Sequence, residues 1–589
     1  MFLNELSTNI LEWIDSLKII SLDTETISLE DKTLNGFSFA GIRDQKLVGY
    51  YVPLNHSKVK NMDFGDAWKL LNKICFVPQI IFHNYSFDAR VLAKYGLEVK
   101  YPPQDTLILA QLWDENRSHR LKALVKDYLK RPMLSYHDIC GTGKKKVKFQ
   151  DADPALLEIY GTDDAIRTYE LFEYLYPKMM KDEDLAFLYH YIERPLTEVV
   201  RDMQVSGIRI DTLMVKNIEK ICKEKCDALQ KKIIKKVGDI NINSTKQLRE
   251  YFIDKCHAPV VKASKKTGIP SVDRETLEKY SEMFPEAAWI LTYRKYYKIY
   301  TSFVPALSSE RIYASFNQSG TVSGRFSSSN PNMQNIPRED EFGIRKAILP
   351  DEDQLIICAD YSQIELRILA HFSRDPVLVK AYQNGEDIHQ ITADACGCSR
   401  MMAKTINFGL MYRMSSRTLA KQLKINQKEA HMYVEGYFES YEAIPRFYED
   451  VIKESIQHGY IRTLYGRKRR LTRNYYQKDH GGKYHEMSSI INSKIQGTSA
   501  DIIKYAMVKM FQPLNALGAR ILLTVHDEVV VSTSKENLLS CCKIIKEAML
   551  EVAQLSIPVE IDIRIGRTWG EAKHGPTPQE YDANPLILG

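Results

Sequence analysis

Two aspartates stand where a hydrophobic strand gives way to polar chain. Asp360 closes the run "LIICAD", and Asp527 lies in "TVHDEVV" between two apolar stretches. Taken singly, each could cap a turn or a helix. Taken as a pair they call for cations, because carboxylates brought together in a low dielectric repel strongly. Two Mg²⁺ ions would remove that cost and suit phosphoryl transfer. Between the two, "SRMMAKTINFGLMYR" places Arg400, Lys404, Phe408 and Tyr412 four residues apart. On a helix that spacing drifts by only about 40° per step, so one face carries two cations and two rings. Cations suit phosphate oxygens, and rings suit a sugar and a base. A surface helix with two solvated cations and two half-buried rings would look the same.

A second acidic set lies near the N-terminus. Asp23 and Glu25 in "LDTE" alternate, so an extended strand presents both on one face. Asp88 follows in "HNYSFD" and Asp164 in "YGTDD", with Tyr160 one helical turn before Asp164. Four acids and a tyrosine can hold two divalent ions and orient a water against a phosphodiester. Any one of these acids alone could be a solvated surface group.

The elements that must position these residues follow from pattern. "LKIISLDTET", the stretch at Gly36 and "GYYVPL" read as strands of a mixed sheet, and "PQIIFHNYSFDARVLAKYG" reads as strand, turn and helix. A further helix is predicted from near Thr162, closing an α/β region near residue 190. Residues 210–300 are Lys/Glu-rich and predicted helical, with "KKIIKK" at 231–236. "RIYASFNQSG" and "QLIICADYS" return to strand character, residues 381–500 are predicted mainly helical, and "ARILLTVHDEVVVS" is a strand–turn–strand candidate. Pro576, Pro578 and Pro585 predict a loose tail over 570–588.

Composition sets the frame. A chain of 589 residues is long enough for several cores, and 44% hydrophobic with 26% charged residues is a globular balance. No long apolar run and no secretory pattern appears, which predicts a cytoplasmic placement, or an organellar matrix where a targeting peptide has been removed. Ten cysteines without zinc spacing predict reduced thiols. The net charge of +6 divides into −3 over residues 1–190 and +9 over the rest, a weak sign of a nucleic-acid track in the larger part. The lysines at 144–146 could lie near single-stranded DNA or form an ordinary surface loop.

The motifs "DYSQIELR" (360–367), "RMMAKTINFGLMY" (400–412) and "HDE" (526–528) resemble motifs A, B and C of the family A DNA polymerases. "SGRFSSSNPNMQNIP" (323–337), "QGTSADIIK" (496–504) and "ERPLTEVVRDMQVSGIRID" (193–211) support the resemblance, which spans essentially the whole chain. It implies a multidomain α/β and α+β fold: a ribonuclease-H-like 3′–5′ exonuclease followed by a right-hand polymerase with palm, fingers and thumb. The implied segments are 1–190 for the exonuclease, 191–300 for the thumb and linking palm, 301–380 for the first palm part, 381–500 for the fingers and return to the palm, and 501–589 for the second palm part.

The resemblance also implies roles. Asp360 and Asp527 match the polymerase metal ligands, with Glu528 in support, and His526 matches a contact to the primer terminus. Lys404 and Arg400 match triphosphate ligands, and Lys404 or a nearby water is a candidate acid for the leaving pyrophosphate. Glu365 matches a steric gate against a 2′-hydroxyl, and Tyr412 the ring packed on it. Gln363 and His389 match further substrate contacts. Phe408 meets the sugar's 3′ side, where the lack of a hydroxyl predicts discrimination against dideoxynucleotides. Arg325, Gln334, Asn335, Arg345, Asn492 and Gln496 match DNA contacts, some to minor-groove acceptors present in every correct pair.

Asp23, Glu25, Asp88, Asp164 and Tyr160 match the catalytic set of the tyrosine-bearing proofreading exonucleases. Asp105 and "SHRLKAL" (118–124) fit the same pattern. An inactive remnant of this domain exists within the family, but every catalytic position is filled here. Two Mg²⁺ ions per centre, replaceable by Mn²⁺, primer-template DNA, dNTPs, a single-stranded 3′ end and a monomeric state are implied. Because the chain opens almost on the exonuclease strand, a form lacking the 5′ nuclease domain of many bacterial relatives is expected.

Three departures stand out. The stretch from His389 to Arg400 is shorter than usual, Arg413 replaces a common glycine, and Ser488 replaces a common arginine. Two other readings share features with this one. A single-subunit RNA polymerase would have the two-aspartate palm but no need of a carboxylate at 365 or of proofreading. A non-catalytic DNA-binding or replisome scaffold would have basic tracks but need not fill both metal sites.

Overall fold

The computed structural model describes residues 1–28, 31–143, 146–264, 267–337, 341–472 and 487–588. Lys144 and Lys145 of the lysine cluster lie outside the described residues. The chain forms two compact units, residues 1–206 with 316–328 and 357–564, and residues 207–315 with 329–356 and 565–589.

The first unit begins with a five-stranded mixed sheet: β1 Ile19–Thr26, β2 Leu34–Arg43, β3 Lys46–Pro53, β4 Gln79–Phe82 and β5 Gln104–Asp105, in the order β3-β2-β1-β4-β5. β1 is antiparallel to β2 and parallel to β4. The central strand is buried at Ile20, Ser21 and Leu22, and its acids appear only toward its C-terminal end. The helix Pro154–Met179 lies against this sheet, with Ser21 Oγ donating to Ala165 O at 2.7 Å. It starts eight residues earlier than the sequence predicts. Asp153 caps it by accepting from Ala155 N and Leu156 N, and Pro154 sits in the first turn, where its missing N–H costs nothing. Gly161, within this helix, is a packing residue. A Cβ there would fall 2.7 Å from Cγ of the Tyr51 ring.

The helical turns after residue 190 stay packed on this unit, which continues to Ser206. Tyr189 Oη donates to Gln104 Oε1 at 2.7 Å, and Glu193 is buried against Lys504, Nζ to Oε1 2.6 Å.

A second sheet of four strands has the order Arg520–Val525, Glu528–Ser534, Gln354–Tyr361, Ile561–Gly566. The first two form the expected hairpin, with Val525 opposite Glu528 and only His526 and Asp527 in the turn. His526 takes the left-handed conformation, φ +57°. Helix Met487–Ala516, thirty residues long, is buried along most of its length. Residues 381–458, the first part of the stretch predicted mainly helical, are mostly helical, and a short hairpin of Tyr460–Arg462 with Lys468–Arg470 follows.

In the second unit, the strands Ile348–Leu349, Ile208–Ile210 and Arg311–Ile312 form a three-stranded sheet in that order. Helix Thr212–Val237 packs with Pro285–Lys298 around Ile233, Phe252, Tyr280 and Ile290. In "KKIIKK" the lysines are exposed while Ile233 enters the core, as an amphipathic helix requires.

The C-terminal segment is not the loose tail expected. Trp569 is fully buried, Ile565 N donates to Pro576 O at 3.0 Å, and Thr577 with Glu580 forms a reciprocal cap ahead of Pro578. The prolines mark a turn and a helix start rather than disorder. Among the described residues no helix is long and apolar enough to cross a membrane. The cysteines are mostly buried and pack as small apolar groups.

Replacing Trp569 by alanine should cost about 3–5 kcal/mol of local stability. Hydrogen exchange should then rise across 565–583, and unchanged protection would restore the loose-tail reading.

Candidate active sites

At the second sheet, backbone pairing brings the two aspartates together. Tyr361 N donates to Asp527 O at 3.3 Å, so the residue after Asp360 is bonded directly to the turn that carries Asp527. Ser499, on the long buried helix, donates to Asp527 Oδ1 at 2.6 Å. Glu528 is buried at the start of its strand, whereas His526 is exposed in the turn.

Helix Arg400–Met411 carries the expected face. Arg400 and Lys404 are exposed, and Phe408 and Tyr412 are half-buried. Arg400 Nε reaches Asp387 at 2.6 Å, and Asp387 in turn caps the helix Ile388–Cys396. Glu365 is held from two sides. Tyr412 donates its hydroxyl to one carboxylate oxygen, and the Arg325 guanidinium pairs with the other. Gln496 bonds the same Tyr412 hydroxyl. Burial raises the Glu365 pKa, and the Arg325 charge opposes that shift. Gln363 Oε1 accepts from Tyr382 Oη at 3.1 Å, and Gln363 itself sits at φ +52° as the chain turns into the next helix.

Other expected residues are placed differently. His389 is buried, its Nδ1 bonded to Asn407 Nδ2 at 2.9 Å, rather than standing open to a substrate. Asn492 has a buried Oδ1 without a hydrogen-bond partner among the described residues, which a donor could satisfy. Gln334, Asn335 and Arg345 belong to the second unit. There Asn335 lines a cavity of about 690 Å³ together with Lys298, Arg311 and Tyr313. Gln334 is half-buried in the short turn Met333–Asn335. Arg345 is 4% exposed, donates to Pro337 O and Ile336 O, and lies 4.0 Å over the Trp569 ring. It holds the chain at 336–337 instead of presenting its charge outward.

Arg413 shows what its departure from glycine entails. Helix Arg400–Met411 closes with Arg413 N to Leu410 O at 2.8 Å and Met414 N to Gly409 O at 3.0 Å. That closure puts residue 413 in the left-handed region, φ +56°, where glycine is the usual occupant. Ser488 lies in the first turn of helix Met487–Ala516, exposed.

The N-terminal acids form a tighter group. Ligand atoms of Asp23, Glu25 and Asp164 all lie within 4.8 Å of one another. Asp88 stands beside this trio, its Oδ1 accepting from Thr24 N at 2.9 Å and Thr24 Oγ1 at 2.7 Å. Asp105 is structural. It accepts from Asn84 N, Tyr85 N and Leu107 N, and so fixes the helix that carries Asp88.

Burial raises the pKa of every acid in the group. Asp23 is pushed well up by burial and then by the charges of Asp88, Asp164 and Glu25. Burial pushes Glu25 to about 8 and Asp88 and Asp164 to about 7. Asp164 Oδ1 is buried and accepts no hydrogen bond. Clustered carboxyl oxygens with an orphaned acceptor fit a hard divalent cation. Lys122 is the residue the sequence reading did not single out. Its Nζ lies 4.2 Å from the Tyr160 ring centre, donates to Leu134 O at 2.5 Å, and lowers the pKa values of Asp23, Glu25 and Asp164. Only its place within "SHRLKAL" pointed to it.

The profile described as DNA polymerase family A matches residues 212–571, more than half of the chain. The chain belongs to DNA polymerase family A. A 3′–5′ exonuclease profile matches residues 3–180, so this family A chain carries an exonuclease domain followed by a polymerase domain. It is 35% identical to DNA polymerase I of Borreliella burgdorferi over 96% of this chain and 63% of that protein. It is 36% identical to the thermostable DNA polymerase I of Thermus aquaticus over 68% of this chain and 50% of that protein. The chain thus spans about three-fifths of the first relative's length. Among solved structures, the POL domain of Pol1 from M. smegmatis, in complex with DNA primer-template and dNTP, is similar. It has a TM-score of 0.84 and 25% identity, over 98% of this chain and 100% of that one.

Two measurements follow from this geometry. Carboxyls whose folded pKa lies above the unfolded value of about 4 stabilise the fold below that pH. The gain is lost as pH rises through about 7 to 8. In EDTA the thermal midpoint should therefore fall between pH 6 and pH 8.5, and Mg²⁺ should restore it mainly at the upper end. Equal Mg²⁺ effects at both pH values would refute metal binding by this group. Arg413→Gly should raise stability against urea by up to about 1 kcal/mol by relieving the left-handed arginine, and a loss would mean that the side chain's contacts outweigh the strain.

Proposed function

We propose that this chain is a template-directed DNA polymerase that adds dNTPs to a primer 3′-hydroxyl, with a 3′–5′ exonuclease that removes mispaired ends. The observation that carries the reading is the direct bond between the strand ending in Asp360–Tyr361 and the turn at Asp527. It supports a reading in which the two carboxylates and the cationic and aromatic face of Arg400–Tyr412 serve one nucleotide. Two Mg²⁺ ions, or Mn²⁺ in their place, would be held by Asp360 and Asp527, with a second pair at Asp23, Glu25, Asp88 and Asp164. They would supply Lewis-acid charge at the attacking and leaving oxygens.

The protein's own residues do the rest. Arg400 and Lys404 neutralise triphosphate oxygens, and Arg400 must exchange Asp387 for the substrate. Lys404 is placed to give a proton to the departing pyrophosphate. Glu365, fixed by Tyr412 and Arg325, excludes a 2′-hydroxyl. Phe408 packs on the sugar, Gln363 and His526 complete the substrate side, and buried His389 braces Asn407 on the same helix as Phe408. Arg325, Asn492, Gln496, Gln334 and Asn335 contact primer and template, and Arg345 supports them from within. Glu528 backs Asp527. At the exonuclease centre Tyr160 orients the attacking water beside the acids, and Lys122 steadies their charge.

The expected five segments serve as exonuclease, thumb, palm, fingers and returning palm around primer-template DNA and dNTPs. A single-stranded 3′ end enters at the exonuclease acids, and the chain acts as a monomer. A carboxylate at Glu365, held by two donors, favours a DNA product over an RNA product.

Primer extension tests the reading. Asp360→Asn should lower extension by at least about a thousandfold, a transition-state loss of about 4 kcal/mol, while 3′ trimming of single-stranded DNA persists. Asp23→Ala with Glu25→Ala should show the reverse. If either change abolishes both activities, or Asp360→Asn still extends, the two-centre assignment is wrong.

A further inference from the structure

The exonuclease region touches the loop that feeds the sugar gate. Gln111 lies on helix Thr106–Trp113 and is 3% exposed. Its Nε2 donates to Thr321 O at 3.2 Å. Its Oε1 accepts from Arg467 Nη1 at 3.4 Å. The amide cannot be reversed, because a guanidinium only donates and a backbone carbonyl only accepts.

Thr321 continues the path, its Oγ1 donating to Arg325 O at 2.8 Å. Arg325 then pairs with Glu365, whose other oxygen takes the Tyr412 hydroxyl. The loop between is draped on the same arginine. Gly324 has φ +84°, and a Cβ there would lie 2.5 Å from Arg467 Nε. Arg467 is itself fixed, bonded through Nε to Asp501 Oδ1 at 2.8 Å and paired with Glu193. The same stretch is gripped at Gln318, whose carbonyl accepts from Lys504 Nζ at 2.7 Å and whose amide donates to Glu193 Oε2 at 2.7 Å.

We propose that Gln111 of the exonuclease region, oriented by Arg467, is a positioning residue for sugar selection at the polymerase centre, acting through Thr321 on Arg325 and so on Glu365. This rests on the polymerase reading and on Glu365 as the gate. With both donors in place, the Glu365 carboxylate has one position and a 2′-hydroxyl meets it. When the Thr321–Arg325 loop relaxes, one donor is displaced and the carboxylate can yield to the extra hydroxyl.

The test is single-nucleotide insertion of dNTP against rNTP by the full chain, with Asp164→Asn as the common background so that trimming does not distort the rates. Gln111→Met keeps the volume and removes both hydrogen bonds, whereas Gln111→Glu keeps a partner for Arg467 but cannot donate to Thr321. Both should raise the kcat/KM for the ribonucleotide relative to the deoxynucleotide by about five- to tenfold, the scale of one lost hydrogen bond. Thr321→Val should do the same, and combining it with Gln111→Met should add little, as expected for one path. In the trimming-competent protein, Gln111→Met should leave degradation of single-stranded DNA unchanged.

An unchanged ratio, or an equal slowing with both sugars, would reduce Gln111 to a packing residue and overturn the proposal. If Gln111→Met does not fold, Thr321→Val decides in the same way. Glu365→Ala separates the two levels. Relaxed selectivity there with none in the Gln111 and Thr321 variants defeats this inference alone, whereas unchanged selectivity there defeats the gate and the inference with it.

Discussion

Four charges in a place that water does not reach hold the first unit together. Glu193 and Lys504 come from the linking helix and the long buried helix, Asp501 from that same long helix, and Arg467 from the short hairpin. Burying one such charge costs several kcal/mol, and only close pairing with further hydrogen bonds offsets it. Here two acids face two bases. Asp501 also accepts from Thr463 Oγ1 at 2.7 Å, and Glu193 takes the amide of Gln318. Removing any member would leave an uncompensated buried charge, so the elements that supply them have one mutual arrangement.

That arrangement explains the motif "QGTSADIIK" residue by residue. Gln496 bonds Tyr412 beside Glu365. Gly497 allows the hairpin to approach, since a Cβ would meet Thr463 Cγ2 at 2.7 Å. Thr498 Oγ1 accepts from Leu464 N at 3.1 Å, Ser499 donates to Asp527, Asp501 binds Arg467, and Lys504 binds Glu193. One helix therefore fixes Asp527, the Tyr412 ring next to Glu365 and the anchor to the exonuclease region. The consecutive bases after Gly466 complete the anchor: Arg469 and Arg470 pair with Glu115, and Lys468 with Asp182. A basic run of this kind reads in sequence as a nucleic-acid patch, yet here its charges are taken up by acids of the same chain.

The two acidic centres solve the same repulsion differently. At Asp23, Glu25 and Asp164 the carboxyls are crowded, burial raises their pKa values, and the Lys122 charge opposes that rise. At Asp360 and Asp527 the spacing is set by strand register, Ser499 supplies a neutral donor, and the cations stand on a separate helix.

The sequence alone determined the chemistry and most elements that carry it. Alternation put Asp23 and Glu25 on one strand face, four-residue spacing put Arg400 to Tyr412 on one helix face, and the turn at Asp527 followed from two apolar runs around a polar pair. These are local periodicities, written within a few residues of one another. Tertiary structure decided what depends on partners distant in the chain. It enclosed His389 and Arg345, ordered the proline-bearing C-terminal segment around Trp569, carried the helix back to Pro154, and brought Lys122 to Tyr160. It also joined Gln111 to Thr321 across more than two hundred residues. No periodicity encodes such a meeting, because a buried polar group finds its partner only when packing has closed both off from water.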